Sequence, residues 1–201
     1  ADDPAFEVNV SALTQAQPKD LEASDIEVRL GATWIDKEYI RQFMLETFKP
    51  PFYLQSSMQV HYSRATAEWQ VEGKNLVSYG DVSARKTFGT DRANAYKILE
   101  ETLNLRDMRI YDTVEDADGR ERRVLNQKET TLAVQKQQAI KDAFKDWLWK
   151  DPERRQTLVR QYNEEMNSTR PREYDGKHIT FAGMNPEISL REHQKNAVAH
   201  I

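Results

Sequence analysis

The chain has 201 residues, 38% of them hydrophobic and 31% charged, with a net charge of -4 and no cysteine. That length and apolar content suit one or two domains with a real core. The lack of cysteine excludes disulfides and thiolate metal sites, and the negative balance excludes nucleic-acid binding by the whole surface, so any such contact needs a local basic patch. No apolar run approaches a membrane span, and Ala1-Asp2-Asp3-Pro4 is acidic where a secretion signal starts basic. A cytoplasmic location with no membrane contact is the expectation.

Residues 1–24 are polar, carry Pro4 and Pro18, and show little periodicity, as a tail or linker would. From residue 25 to 169 the pattern is that of a folded domain. Asp36 is placed to cap a helix, with Ile35 before it able to pack on Ile40. Ile40, Phe43, Met44 and Phe48 share one face, and Pro50-Pro51 stops the run. Met58–Tyr62 and Glu68–Glu72 alternate with period two and predict a hairpin turned through Ser63–Ala67, closed by Gly73. Thr90 is the expected cap of a helix with Tyr96, Leu99 and Leu103 on one face. Met108–Val114 and Arg122–Leu125 predict a second hairpin around Asp116-Ala117-Asp118-Gly119.

Asn126 with Glu129 forms a capping box for a helix to about Lys150, its core face being Ile140, Phe144, Trp147 and Leu148. Asp151-Pro152 ends it and opens the next, which carries Leu158, Val159, Tyr162 and Met166. Residues 170–201 predict an extended connector and a final helix, capped by Ser189 and Glu192, with Leu190, Ala197, Val198 and Ile201 as its apolar face. The mixed order of helices and short antiparallel hairpins predicts an α+β fold with a single main domain.

Several motifs stop short of a chemistry. Gly80-Asp81-Val82-Ser83-Ala84-Arg85-Lys86-Thr87 has Arg85 where a phosphate-binding loop needs its second glycine, and a side chain there blocks the backbone's approach to phosphate. Lys49-Pro50-Pro51-Phe52 resembles the adenine-methylase tetrapeptide but begins with a residue that only donates hydrogen bonds, and Asn185-Pro186-Glu187-Ile188 lacks the second proline and the aromatic. Around Asp116, the first and twelfth positions of a calcium loop fall on Val114 and Leu125, which bind no calcium. Glu72-Gly73-Lys74 follows a strand as in some nuclease metal sites, without an aspartate on the partner strand. The four histidines are scattered. What remains is a basic, aromatic stretch: Lys74, Tyr79, Arg85, Lys86 and Arg92 beside the Trp69 strand, the residue types that contact phosphates and stack on bases. An ordinary solvated loop with core aromatics has the same composition.

The run Leu190-Arg191-x-His193-Gln194-Lys195-Asn196-Ala197-Val198 resembles the helix that opens the ATPase core of Swi/Snf-like superfamily-two helicases, whose glutamine reads the adenine edge; Gln194 is the matching residue. Residues 31–201 as a whole resemble the region between the methylase and helicase parts of very large proteins of conjugative elements, plasmids and phages. The supporting residues are Leu30-Gly31-Ala32-Thr33-Trp34-Ile35, Phe181-x-Gly183-Met184 and the final helix. The resemblance implies a parent that acts on DNA as an ATP-dependent helicase and adenine-specific methyltransferase. ATP with Mg and S-adenosylmethionine would serve that parent, with no cofactor in this chain. The chain is then expected to be a non-catalytic fragment, cut as the helicase core begins, that positions DNA or that core. A protein-interaction or spacer module without DNA contact is the alternative, and a degenerate nuclease-like domain a weaker one.

Overall fold

Asp36 sets the start of the first core helix. Its carboxylate accepts the Glu38 N–H at 2.8 Å, and α2 runs Lys37–Phe48. Ile40, Phe43, Met44 and Phe48 are all buried on it, with Ile35 buried before the cap. Lys49 closes the helix in the left-handed region (φ 50°), as the prolines that follow forbid another turn. The computed structural model describes residues 4–116, 119–169, 179–180, 183–185 and 188–199.

Among these the elements are α1 (Pro4–Ala16), α2, α3 (Phe52–Gln55), β1 (Val60–Ser63), β2 (Glu68–Val71), a π-helical turn (Ser83–Thr87), α4 (Ala95–Leu103), β3 (Tyr111–Glu115), β4 (Glu121–Leu125), α5 (Gln127–Lys150), α6 (Pro152–Glu165) and α7 (Glu192–Ala199). The architecture is α+β, with two antiparallel hairpins as the described sheets. The chain divides into the unit Asp20–Met166 and a unit of Ala1–Lys19 with Asn167–Ile201. Among the described residues no helix is long and apolar enough to cross a membrane.

In the Asp20–Met166 unit, α4 packs on α5 and β2, α2 on β1 and α5, and α6 on α5. Edge-to-face aromatics bind these layers. Phe43 meets Phe144 at 5.1 Å, and Phe48 meets Tyr96 at 5.2 Å. The β1–β2 register pairs Val60 with Val71 and Tyr62 with Trp69, which puts the alternate apolar side chains on one face. Trp147 is only half-buried: its indole N–H leaves the core to donate to Glu46 at 2.6 Å, while Phe144 and Leu148 fill the core face.

Polar helix side chains close the backbone edges that the short hairpins leave open. Asn104, the C-cap of α4, accepts the Trp69 N–H and donates to the Trp69 carbonyl, both at 2.8 Å, as a neighbouring strand would. One turn earlier, Glu100 accepts the Val71 N–H at 2.7 Å. Gln137 on α5 accepts from Met108 and donates to the Arg106 carbonyl, and Asn163 on α6 holds both backbone groups of Leu21. These bonds protect an edge strand and satisfy extended segments that lie outside the two hairpins.

Several expectations are corrected. Residues 4–16, expected as tail or linker, form α1: proline is allowed at a first helical position, and Val8, Val10 and Leu13 stay exposed, so no apolar periodicity announces the helix. Thr90 does not cap α4. Its hydroxyl accepts the N–H groups of Arg92 and Ala93 in a buried turn, and Asn94 caps the helix by accepting from Lys97 at 3.0 Å. Met166 lies past the end of α6 and is exposed. In the other unit α7 begins at Glu192 and Gln194 reaches back to the Arg191 N–H at 2.9 Å, so the start lies beyond Ser189, and Ala197 and Val198 are exposed. Ala117, Asp118, residues 170–178, Phe181, Pro186, Glu187 and Ile201 lie outside the described residues, and with them the turn centre, the connector's Arg170, Arg172 and Lys177, and part of the family resemblance.

Candidate nucleic-acid interface

The segment from Val77 to Arg92 is wound by its own hydrogen bonds. The Asp81 carbonyl accepts from Arg85 at 3.0 Å, its carboxylate accepts the Ala84 N–H at 2.9 Å, and Phe88 donates to the Ser83 carbonyl at 3.0 Å in the π-helical spacing. The Ala84, Arg85 and Phe88 amides are thus spent on bonds within the segment. Gly89 permits the tight exit, since a Cβ there would collide with the Ala84 carbonyl. Phe88 anchors the turn against Phe48 at 5.3 Å.

Arg85 locks the loop. Its guanidinium donates to the carbonyls of Ser78, Asp91 and Val77 at 3.2, 3.2 and 3.4 Å, using three of its N–H groups. The same guanidinium lies over the Tyr79 ring, 4.2 Å from its centroid, yet Tyr79 is 84% exposed. Lys86 pairs with Asp91 at 2.8 Å, both side chains mostly in solvent. Lys136, far along the chain on α5, donates to the carbonyls of Lys86 and Thr87 at 2.7 and 3.0 Å. Arg92 reaches the Asp112 carboxylate at 2.7 Å and the Tyr111 carbonyl at 2.9 Å. Arg92, with Asn126 second, holds the Asp112 carboxyl below its ordinary range.

Of the five residues expected from sequence, Tyr79, Arg85, Lys86 and Arg92 gather on this one loop. Lys74 is attached to it through its carbonyl, which accepts from Asn94 at 2.8 Å, but its ammonium is drawn into a part-buried pair with Glu100 at 2.6 Å. Trp69 is buried against Tyr62 and offers no free face. Lys136, Asp91 and Asp112 were not singled out by sequence. Lys136 joins through the tertiary packing of α5, and no local pattern marks it. Gln194 is exposed and uses its side-chain oxygen on the first turn of α7.

Elsewhere, Phe52 and Tyr53 on α3 are 89% and 73% exposed behind the Pro50-Pro51 stop. Among the described residues no three histidine or acidic side chains gather as a metal site requires. A family model described as "Domain of unknown function (DUF8437)" matches residues 29–168. Neither the curated proteins nor the solved structures contain a match to the chain.

Proposed function

The chain belongs to the DUF8437 family, a domain family of unknown function, and from that premise we propose that it is a non-catalytic module that contacts DNA weakly and positions it for a larger parent protein. The observation that carries this reading is that Lys86 and Arg92 lie with the exposed Tyr79 ring on one loop, which Lys136 reaches from α5, in a chain whose net charge is negative; Lys86 pairs with Asp91 and Arg92 with Asp112. The Lys86–Asp91 pair is exposed, so its attraction is small and a phosphate can replace the carboxylate at little cost. The resemblance to the region between methylase and helicase parts makes DNA the polyanion to test first, with the parent, not this module, supplying ATP and methyl-donor chemistry.

The test is fluorescence anisotropy with single-stranded and duplex oligonucleotides at several salt concentrations. Weak binding is expected. Lys86→Ala with Lys136→Ala should lower it across sequences and reduce the salt slope by about one for each phosphate that is no longer neutralised. No binding of either form at low salt overturns the reading.

A second reading is a protein-docking module, favoured by the adjacent exposed Phe52 and Tyr53. On that reading the chain binds no DNA, and Phe52→Ala with Tyr53→Ala abolishes association with the remainder of the parent chain.

A further inference from the structure

We infer that Tyr79 is a stacking platform for an unpaired base, so that the ligand of the basic loop is single-stranded nucleic acid rather than duplex; the inference rests on the nucleic-acid reading of that loop. Two observations carry it.

The first is the ring itself. One face of Tyr79 is covered by the Arg85 guanidinium at 4.2 Å, and the side chain is nevertheless 84% exposed, so the opposite face is open to solvent. A base can occupy that face and extend the stack of guanidinium and ring, the arrangement by which sequence-tolerant single-strand binders hold successive bases.

The second is rigidity. An exposed tyrosine ordinarily loses side-chain freedom on stacking. Here Arg85 is itself pinned by the carbonyls of Val77, Ser78 and Asp91, so the guanidinium beneath the ring is fixed by both ends of the loop. Arg85 therefore supports the ring, and phosphate contact falls to Lys86, which follows it in the π-helical turn with a side chain 62% exposed. A base pair in a duplex presents its faces only to its neighbours, so the open Tyr79 face selects for strands whose bases are unpaired. Trp69, the other aromatic beside the basic residues, is buried and cannot share this role.

The experiment uses the full 201-residue chain and labelled oligodeoxyuridine, oligouridine and duplex DNA of equal length. The wild type should bind the single strands more tightly than the duplex, and the tighter of the two single strands names the sugar preferred. Tyr79→Ala should weaken single-strand binding by roughly 5- to 100-fold with little change for duplex, whereas Tyr79→Phe, which keeps the ring, should bind as the wild type does. Unchanged melting curves confirm that both variants are folded, as the exposure of Tyr79 leads one to expect. Single-strand affinity unaffected by Tyr79→Ala, while Lys86→Ala still weakens binding, overturns the stacking inference and leaves the DNA-contact reading standing. Equal losses for Tyr79→Ala and Tyr79→Phe trace the effect to the hydroxyl and also overturn it. Absence of wild-type binding to every probe removes both.

Discussion

Tyr96 is the residue at which packing and polarity conflict most. Its side chain is fully buried between Phe48 and the core, and among the described residues its hydroxyl has no hydrogen-bond partner. Burial, and then the nearby Asp81 carboxylate, push its ionisation well above the ordinary tyrosine value. Tyr96→Phe removes the stranded hydroxyl and should raise stability by about 1 kcal/mol in urea unfolding at neutral pH. Because the folded value is raised, the protonated tyrosine contributes fully below the unfolded value near 10, and stability is lost as pH climbs above it. The advantage of Tyr96→Phe should therefore grow above about pH 10, and a pH-independent difference would contradict the assignment. Phe144 shows the simpler case. It is 1% exposed and meets Phe43 edge to face, so Phe144→Ala should cost about 3–5 kcal/mol. An unchanged melting temperature would mean that Phe144 does not face the core, since collapse of the gap removes only part of the cost.

Single elements here are held as much by side-chain amides as by apolar contact. The β1–β2 hairpin would be marginal alone. α4 stabilises it by lying along β2 and offering Asn104 and Glu100 as a substitute strand edge, with Lys74 neutralising the carboxylate. Asn104→Ala leaves both Trp69 backbone groups without that partner and should cost about 1–3 kcal/mol. Hydrogen exchange should show the same substitution accelerating the Trp69 amide selectively, while the amides of α6 keep their protection. Uniform acceleration would indicate a general loss of stability instead. The same logic explains the π-helical turn. In it Ala84 is fully buried and Lys86 is exposed, while Arg85 folds back onto the carbonyls of Val77, Ser78 and Asp91.

For the molecule as a whole, the described core runs from Ile26 to Leu158, inside Asp20–Met166. A fragment of residues 20–166 should therefore fold cooperatively, with a melting temperature within a few degrees of the full chain. A fragment starting at residue 25 forfeits the two bonds between Asn163 and Leu21 and should be about 1–2 kcal/mol less stable than the longer one. Differential scanning calorimetry of the two fragments and the full chain compares all three. A 20–166 fragment that fails to fold would show that residues outside it contribute to the core.

Local chemistry made much of this fold legible from the amino-acid order. Asp36, Asn126 and Asp151 cap helices through bonds within three residues; the buried face of α2 follows from helical spacing alone, and on α5 that spacing marks Ile140, Phe144 and Leu148 but not Gln137. The alternation around Trp69 likewise placed a hairpin. Other features carry no short-range signal. On α1 the apolar Val8, Val10 and Leu13 are exposed. Thr90 and Asn94 are both capable caps, and the turn that captures the Thr90 hydroxyl chose between them. In the candidate site, composition marked the basic aromatic stretch, but only tertiary packing separated its members. It drew Lys74 into Glu100, buried Trp69, spent Arg85 on three carbonyls beneath an exposed Tyr79, and brought Lys136 from fifty residues away. Whether a cation is free or neutralised depends on which carboxylates and carbonyls the fold brings within a few ångströms, and sequence separation holds no record of that distance.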